Sequence, residues 1–489
     1  MERLVFGYGT SRNTAPSEVL AVNAETRKAE KAPQHAASVR PQSAAAAENR
    51  TDWPYLGLMV FTAMLFFRPQ DLITPLRMLP MAEIAALFAL GTLITGRLGR
   101  GLPLSRTTPE VIAVLGFALC ILTLAPFSVW MGGAIHTFTD LYAKVVLIFV
   151  LMVNTLTSPR RIEQFTWLIV IASGYIAGRT VFDYARGIHL IENGRVQGAV
   201  GGMFKNPNDL ALNMVAVLPL ALGFVFRRIS PMRRSIAAFV AMLMLFTVVA
   251  TQSRAGTVGL VAMVLVLAVN IVKRRPGVVF GAVLVGMLAL PLLPSSYLER
   301  IASITDKNLD QTGSREARSR LLRESFATFL AKPLTGVGAG QFKNYDPEGR
   351  EEPWRETHNV VLQVAAELGI GGLVIFGFLV ARGFYGPIQT RRLLRRSEAG
   401  RSKQRQATVA ALDPRERELL TTHAEMVSAA LAGWFVCALF ASVAYHWTFY
   451  YLLALAVVPR DYLRARLGEV GVPPRTAAGR TQATVGLPA

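Results

Sequence analysis

Three polar residues that border apolar segments could together bind an anion and move a proton. Arg195 lies in a glycine-rich loop, Arg254 follows a short polar turn between two apolar segments, and His358 stands directly before another apolar segment. A guanidinium group forms paired hydrogen bonds with phosphate oxygens, and a neutral imidazole can accept the proton of a hydroxyl group. These residue types predict a site for a phosphate-containing ligand beside a general base.

Each of the three residues also has a structural explanation that needs no ligand. An arginine at a bilayer edge often extends its head group to water, a loop arginine is ordinarily solvated, and a histidine can cap a helix. Two further cations, Lys144 and Arg179, are expected on the same outer side of the membrane. Several outer cations without matching carboxylates favour an anionic ligand at the membrane surface.

No pattern in the chain predicts a metal or a nucleotide site. Both cysteines, Cys120 and Cys437, lie inside apolar segments, and the sequence contains neither an Asp-x-Asp nor a His-x-x-x-His pair. The run from Gly336 to Gly340 lacks the lysine and the strand–turn–helix context of a phosphate loop, so it predicts a tight turn. We therefore expect neither a metal ion nor a cofactor.

The composition determines the class of fold that must position these residues. The chain has 489 residues, of which 52% are hydrophobic and only 17% are charged. Continuous apolar runs indicate helices, whereas the strands of a membrane barrel alternate. The prediction is an all-α polytopic membrane protein with about twelve transmembrane helices, since each needs about 20 predominantly apolar residues. The apolar segments are residues 55–67, 80–96, 110–126, 141–157, 165–182, 209–226, 236–250, 255–272, 277–293, 359–381, 425–444 and 446–459.

Basic residues alternate with these segments as membrane topology requires. Segments 126–140 and 445–446 contain no lysine or arginine. Because cytoplasmic loops carry the excess of basic residues, we predict that both termini are cytoplasmic. The net charge of +20 then reflects topology and attraction to anionic lipids of the bilayer, and needs no nucleic acid. The basic stretches are residues 1–50, 97–106, 160–161, 227–234, 273–275 and 382–417.

The chain divides at the largest outer loop. Within that loop, residues 314–330 have the apolar spacing of a helix, and Asn208, in the preceding outer loop, is predicted to cap a helix that begins at residue 209. We predict a disordered cytoplasmic tail at 1–52, transmembrane helices 1–9 at 53–293, a partly helical outer loop at 294–357, transmembrane helices 10–12 at 358–460 with a basic cytoplasmic loop at 382–424, and a cytoplasmic tail at 461–489.

Three ordered motifs within residues 190–380 resemble those of a known family. The motifs are Gly194-Arg195-x-x-Gly198 followed by Asn206-Pro207-Asn208-x-x-Ala211; Ser253-Arg254-Ala255-Gly256; and Pro333-Leu-x-Gly336-x-Gly338 followed by His358-Asn359-x-x-Leu362-Gln363-x-x-x-Glu367-x-Gly369-x-x-Gly372. The chain thereby resembles the O-antigen ligase and O-antigen polymerase superfamily of bacterial envelope glycan assembly. The first five spans resemble the family only in topology.

The resemblance implies an enzyme of the bacterial inner membrane whose active site faces the periplasm. Such enzymes take a glycan from undecaprenyl pyrophosphate and attach it to an acceptor hydroxyl, without metal or cofactor. By position, Arg195 and Arg254 would bind the donor pyrophosphate, and His358 would be the catalytic base. We expect direct displacement with inversion at the sugar C1.

Four more residues are candidate substrate contacts. Arg318 resembles the family's loop arginine, whereas the aromatic residue that often follows that arginine is replaced here by Leu322. The remaining candidates are Asn208, Gln252 and Asn359.

Two alternatives to a ligase remain open at this stage. A polymerase uses the same donor but extends a growing glycan, such as an exopolysaccharide, instead of modifying an acceptor glycolipid such as lipopolysaccharide. An anion transporter of the bicarbonate type is the more distant alternative, but transporters bind their substrates near the bilayer midplane. The sequence does not identify the sugar, the acceptor, the oligomeric state or any protein partner.

Overall fold

The computed structural model describes residues 52–69, 79–191, 194–272, 293–304, 314–346, 354–398 and 412–466, with a few isolated positions between them. The predicted N-terminal tail, most of the predicted span at 277–293 and residues 467–489 of the predicted C-terminal tail lie outside the described residues.

The described residues are mostly helical, as predicted. Their two short antiparallel strands are β1, Leu190–Ile191, and β2, Arg195–Val196. A π-helical turn, Phe138–Tyr142, joins the fourth helix to the fifth. The helices are α1 Trp53–Phe67, α2 Met81–Leu98, α3 Pro109–Leu124, α4 Met131–Thr137, α5 Ala143–Thr155, α6 Pro159–Ala185, α7 Pro207–Phe226, α8 Pro231–Ala250, α9 Arg254–Ile271, α10 Ser295–Ala302, α11 Ser314–Ala331, α12 Val360–Glu398, α13 Pro414–Ala438 and α14 Trp447–Arg466.

Eight helical segments among the described residues are long and apolar enough to cross a membrane. Helix α1 is apolar but shorter, with 15 residues. The all-α membrane class is therefore confirmed, while the number of twelve spans stays a prediction. The eight segments are Met81–Leu98, Pro109–Phe127, Met131–Thr155, Pro159–Ala185, Pro207–Phe226, Pro231–Ala250, Arg254–Ile271 and Val360–Arg395.

The start of α7 differs from the prediction. The helix begins at Pro207, and its cap is Asn206, whose side chain accepts a hydrogen bond from the backbone N–H of Asn208 at 2.9 Å. Proline suits the first helical position because the helix leaves that N–H without a partner in any case. The prediction that Asn208 caps this helix is wrong, and its side chain is available for other contacts.

Other helix ends also differ from the ends of the predicted spans. Helix α11 confirms the predicted helix in the outer loop, whereas α12 and α14 continue past residues 382 and 461. Helix α13 ends at Ala438 rather than near residue 444. Residues 439–446 leave the helix within an apolar stretch, and this break creates the polar contacts described below.

Small residues let α7, α9 and α13 approach closely. A side chain at Gly256 of α9 would collide with Ala211 of α7, and one at Gly259 would collide with Cys437 and the backbone of Gly433 on α13. Close backbone approach at small residues is the usual way in which membrane helices associate. The glycine of the second motif therefore packs against the alanine of the first, which brings the starts of α7 and α9 together.

The packed helices have one end that carries the three motifs and an opposite end that is rich in arginine. At the first end, the starts of α7, α9 and α12 meet the segment after α13. We call it the motif end, because Arg195, Arg254 and His358 lie there. The end of α7 meets the starts of α6 and α13 at the other, called the basic end because Arg227 and Arg228 lie there.

Candidate active site

Asn208 joins the first two motifs. Its Oδ1 accepts hydrogen bonds from Arg195 Nη2 at 3.0 Å and from Ser253 Oγ at 2.9 Å. Arg195 Nε also donates to the carbonyl oxygen of Thr251 at 3.0 Å. Arg195 and the polar turn before α9 are therefore one hydrogen-bonded unit, although 56 positions separate Arg195 from Thr251.

The polar turn places Arg254 at the start of a helix. Ser253 caps α9 by accepting a hydrogen bond from the N–H of Gly256 at 3.1 Å, so Arg254 is the first helical residue. Gln252 has a positive φ of 48°, a sparsely populated conformation for a residue other than glycine. The unpaired N–H groups of a helix start favour anions, and Arg254 adds a full charge there.

Helix α10 covers this turn and adds a cation that the sequence analysis missed. Arg300 Nε donates to the carbonyl oxygen of Gln252 at 2.9 Å, and Arg254 Nη1 donates to Ser303 Oγ at 3.2 Å. Gln252 is buried and donates to Ser296 Oγ at 3.3 Å, so the structure shows it supporting the turn. One feature of the sequence could have indicated Arg300, which is its position on a short amphipathic helix directly after an apolar segment.

His358 is held by its backbone rather than by its ring. Its N–H donates to Ser442 Oγ at 2.9 Å, and Thr357 Oγ1 shares a hydrogen bond of 3.0 Å with the same oxygen. His358 also has a positive φ of 48°. Ser442 does not stand out in the sequence, because a single serine in an apolar stretch ordinarily bonds within its own helix.

Asn359 fixes the beginning of α12. Its Oδ1 accepts from the N–H groups of Val361 and Leu362, each at 3.0 Å, and its Nδ2 donates to the carbonyl oxygen of Leu439 at 3.1 Å. Both ends of its amide are therefore occupied within the protein. In this structure Asn359 ties α12 to the end of α13, beside His358.

Burial, assisted by two arginines, keeps the imidazole of His358 neutral. Burial lowers the pKa of His358 to about 4, and the positive charges of Arg318 and Arg355 act in the same direction. A neutral ring at physiological pH is the form that can accept a proton. Arg318, on α11, thus interacts electrostatically with His358, as two residues of one site would.

Glu356 connects the third motif to the first. Its carboxylate interacts electrostatically with Asp209, the neighbour of Asn208, and bonds to the Ser442 side chain. Desolvation by the surrounding protein raises the pKa of Glu356, although part of its side chain stays exposed, while Lys343 and the bond to Ser442 oppose this rise. Asp209 and Glu356 carry like charges and repel each other, so their interaction shows only that the segment containing Asn208 lies near the turn containing His358.

The glycine-rich part of the third motif is structural. The N–H of Gly338 donates to the carbonyl oxygen of Glu367 at 2.9 Å, and the N–H of Gly340 donates to Glu367 Oε2 at 2.8 Å. The same Oε2 accepts from Tyr445 at 2.8 Å. Gly369 has a φ of 63° and kinks α12 here. The tight turn predicted at Gly336–Gly340 therefore packs against a kinked helix.

Two cations assigned to the outer surface have acidic partners. Lys144 Nζ lies 2.9 Å from Glu83, and Arg179 Nε lies 3.2 Å from the buried Asp183. The expectation that these cations lack matching carboxylates is wrong, because the acidic residues come from other turns or helices. Neither cation belongs to the cluster around Asn208. Within the described residues no group of His, Cys, Asp or Glu could hold a metal ion.

Comparison with known proteins supports the resemblance seen in the motifs. Residues 239–377 match the family model described as O-antigen ligase. The matched segment contains Arg254, Arg318 and His358, while Arg195 precedes it. No curated protein sequence matches the chain. Over these residues the chain is similar to O-antigen ligases, which confirms its resemblance to the O-antigen ligase and polymerase superfamily.

Proposed function

We propose that this protein is a membrane glycosyltransferase of the O-antigen ligase type, which moves a glycan from undecaprenyl pyrophosphate to an acceptor hydroxyl. The observation that carries the proposal is the shared acceptor Asn208 Oδ1, which links Arg195 to the turn that bears Arg254. This arrangement ties the segment that bears Arg195 to the helix start that bears Arg254, which would suit recognition of a diphosphate.

Arg195 and Arg254 would stabilise the departing diphosphate. As the acceptor oxygen bonds to the sugar C1, the bond from C1 to the phosphate oxygen breaks and leaves negative charge on undecaprenyl pyrophosphate. A preorganised donor aimed at such a charge contributes on the order of 3 kcal/mol. Asn208, Thr251 and Ser303 accept hydrogen bonds from these side chains and preorganise them before the donor binds.

His358 would remove the proton of the attacking hydroxyl. A positioned general base contributes roughly 10²–10⁴-fold in rate. In the free protein burial keeps the pKa of His358 low, and the charges of Arg318 and Arg355 lower it further. A bound diphosphate would offset these positive charges and raise the pKa of the imidazole towards a range suited to proton transfer. Donor binding would thus activate the base, and displacement from one face inverts C1.

The distribution of basic residues supports an orientation for this reaction. The basic end carries Arg160, Arg227, Arg228 and Arg233, and positive residues favour the cytoplasmic side. We place the motif end in the periplasm, both termini in the cytoplasm and the protein in the bacterial inner membrane. A lipid-linked glycan and the acceptor would then meet beside α10 and α11.

A polymerase would use the same donor groups and differ only in its acceptor, a growing glycan. An anion carrier would need substrate groups near the middle of its helices. Arg254 and Asn208 instead lie in the first turns of α9 and α7, which favours the enzyme over the carrier.

The test is glycan transfer by the purified protein. Undecaprenyl-pyrophosphate glycan is supplied with either a lipid A core glycolipid or a second lipid-linked glycan, and product and released undecaprenyl pyrophosphate are measured. We expect Arg195→Ala, Arg254→Ala and His358→Ala each to lose at least about 100-fold in kcat/KM.

Arg186→Ala is the matched control, because Arg186 is an exposed arginine that, within the described residues, stacks on Phe182 and lies outside the proposed site. Its rate should stay within about twofold of wild type. Wild-type rates in all three folded site variants would refute the site. Transfer only to the second lipid-linked glycan would identify a polymerase, and anion flux in proteoliposomes without glycan turnover would favour the carrier.

A further inference from the structure

A second cation-rich region lies far from the candidate active site. At the basic end, a pocket of about 550 Å³ opens between the start of α6, the turn from α7 to α8 and the start of α13. This volume is within the roughly 300–1,000 Å³ typical of small-molecule sites. We call it the arginine pocket, because its lining includes Arg160, Arg227, Arg228, Arg233 and Arg415.

The carboxylates of the arginine pocket are already engaged. Glu163 accepts from Arg227 Nη1 at 2.8 Å, Glu418 accepts from the backbone N–H of Arg228 at 3.3 Å, and Glu416 accepts from Arg466 Nη1 at 3.3 Å. With five arginines and three glutamates in its lining, the pocket keeps an excess of positive charge.

Four guanidinium groups of the lining have no carboxylate partner within the described part of the chain. They belong to Arg160, Arg228, Arg233 and Arg415, all of which are exposed. In addition, the buried Nε of Arg227 makes no hydrogen bond to any described atom. An unpaired buried donor is costly, and like charges around one cavity repel each other. A bound anion would relieve the repulsion between the exposed guanidinium groups.

The start of α8 adds to the positive potential, whereas Ser158 caps α6 and the carboxylate of Asp413 caps α13. Helices α6, α8 and α13 begin at Pro159, Pro231 and Pro414, and Pro159, Ser230 and Arg415 line the pocket. The N–H groups at a helix start favour phosphate and other anions. Ser230 makes no side-chain cap on α8, so the first N–H groups of that helix have no hydroxyl acceptor from it.

A small interior cavity beside the arginine pocket limits where a ligand can bind. A second cavity shares Glu163, Arg227 and Leu419 with the pocket, and its other walls include Leu220, Phe224 and Met426. Its volume is about 20 Å³, enough for a water molecule but too small for an acyl chain or a sugar. A ligand therefore occupies the arginine pocket itself and does not extend into the second cavity.

We propose that the arginine pocket binds a phosphate group, borne either by an anionic lipid head group or by a soluble phosphate. The site is separate from the one that contains Arg195, because α7 has 20 residues and its two ends are about 30 Å apart. It lies at the ends of membrane-crossing helices, where head groups of anionic lipids accumulate.

The experiment compares two variants that lose the same charge. The pocket variant carries Arg160→Gln, Arg233→Gln and Arg415→Gln. The control variant carries Arg100→Gln, Arg234→Gln and Arg395→Gln, which are exposed arginines outside the pocket lining. In the first arm, inorganic phosphate is titrated at constant ionic strength into protein in phosphatidylcholine nanodiscs, and the unfolding midpoint is followed. In the second arm, native mass spectrometry measures phosphatidylglycerol retained from mixed lipid.

We expect the pocket variant to bind at least one probe about tenfold more weakly than wild type, and the control variant to stay within about twofold. Saturable stabilisation by inorganic phosphate identifies a soluble ligand, and selective retention of phosphatidylglycerol identifies a lipid. Equal losses in both variants, or none, overturn the proposal. The single variant Arg415→Gln, expected to weaken binding about threefold, covers the case in which the pocket variant does not fold.

Discussion

The backbone N–H of His358 donates a hydrogen bond to the Oγ of Ser442, 2.9 Å away, although 84 positions separate the two residues. Ser442 is buried in the segment that follows α13, and its oxygen also contacts Thr357 at 3.0 Å. His358 has a positive φ, a conformation that persists only when surrounding contacts enforce it. We infer that Ser442 positions the imidazole of His358.

Substitution Ser442→Ala should lower kcat about 10–100-fold and change KM for the donor less than about threefold. The physical reason is the loss of the acceptor for a half-buried N–H, worth about 1–3 kcal/mol, which releases the turn that carries His358. Donor contacts through Arg195 do not depend on this bond. Steady-state transfer kinetics with saturating acceptor measure both parameters.

Ser428→Ala is the control, because Ser428 lies on α13 and donates only to the carbonyl oxygen of Ala424 in its own helix, at 2.8 Å. It should behave as wild type. Partial rescue of kcat by Ser442→Thr, which keeps the hydroxyl, would support positioning. A rise in KM with unchanged kcat would contradict it.

Substitution Arg318→Gln should move the acid limb of the kcat/KM profile to higher pH. Removal of a positive charge raises the pKa of His358, which is about 4 in the free protein. As the pH is lowered, the activity of the variant should therefore begin to fall earlier than that of wild type. The midpoint of this fall should lie between pH 4 and 6.5, the ordinary pKa of a histidine. The pH dependence of kcat/KM reports groups of the free enzyme and measures this shift directly.

Arg323→Gln removes an exposed charge from the same helix, and the limb should stay in place. An unchanged limb in Arg318→Gln, with both proteins folded, would show that His358 does not titrate in the reaction. Loss of rate at every pH without a shift would assign Arg318 to donor contact alone.

Substitution Asn208→Ala should reduce kcat/KM for the donor about 10–100-fold, because it removes the acceptor shared by Arg195 and Ser253. Asn208→Asp keeps an acceptor but adds negative charge beside the proposed diphosphate site, so it should mainly raise KM for the donor. Transfer rates over a range of donor concentrations separate the two effects.

Asn154→Ala controls for the loss of a buried amide, because Asn154 bonds to Ser105 and Arg106 in another part of the fold. Its donor KM should equal that of wild type. Equal kinetic losses in Asn154→Ala and Asn208→Ala would mean that Asn208 supports only the general fold.

Substitution Gly369→Ala should destabilise the protein by about 1–3 kcal/mol or more. Gly369 has a φ of 63°, and a Cβ there would collide with the backbone of Pro333 and Leu334. Gly371→Ala, on the same helix, meets no atom within 4 Å and should be neutral or slightly stabilising. The thermal unfolding midpoints of the two variants in detergent measure this difference. Equal midpoints would contradict the requirement for glycine at the kink.

Much of the fold could be predicted from composition and periodicity. Long apolar runs define helices such as α7 and α9 because burial of backbone polar groups in lipid requires internal hydrogen bonding. Helix ends were less predictable, as Asn206 and Asn208 show. Both asparagines suit a helix start, and only the direction of the backbone decides which of them caps α7. The end of α13 at Ala438 was missed because residues 439–444 are mainly apolar.

The candidate site was predictable in residue type but not in arrangement. Arg195, Arg254 and His358 stand out because polar side chains are rare beside apolar segments. Arg300 and Ser442 do not stand out, since one lies in an ordinary amphipathic helix and the other in an apolar stretch. Glu83 becomes a neighbour of Lys144 only through helix packing, whereas Asp183 stands four residues after Arg179 on the same helix, a spacing that the sequence itself shows.

By itself, the sequence determined the class of protein, most of its helices, its resemblance to glycan ligases and the residues able to bind a diphosphate or accept a proton. These properties depend on residue type and on local spacing. The tertiary structure decided which residues act together. Asn208 meets Ser253 where Gly256 lets the starts of α7 and α9 approach closely, and Ser442 meets His358 where the segment after α13 packs beside the start of α12. Contacts between distant segments depend on such packing, which no local pattern encodes.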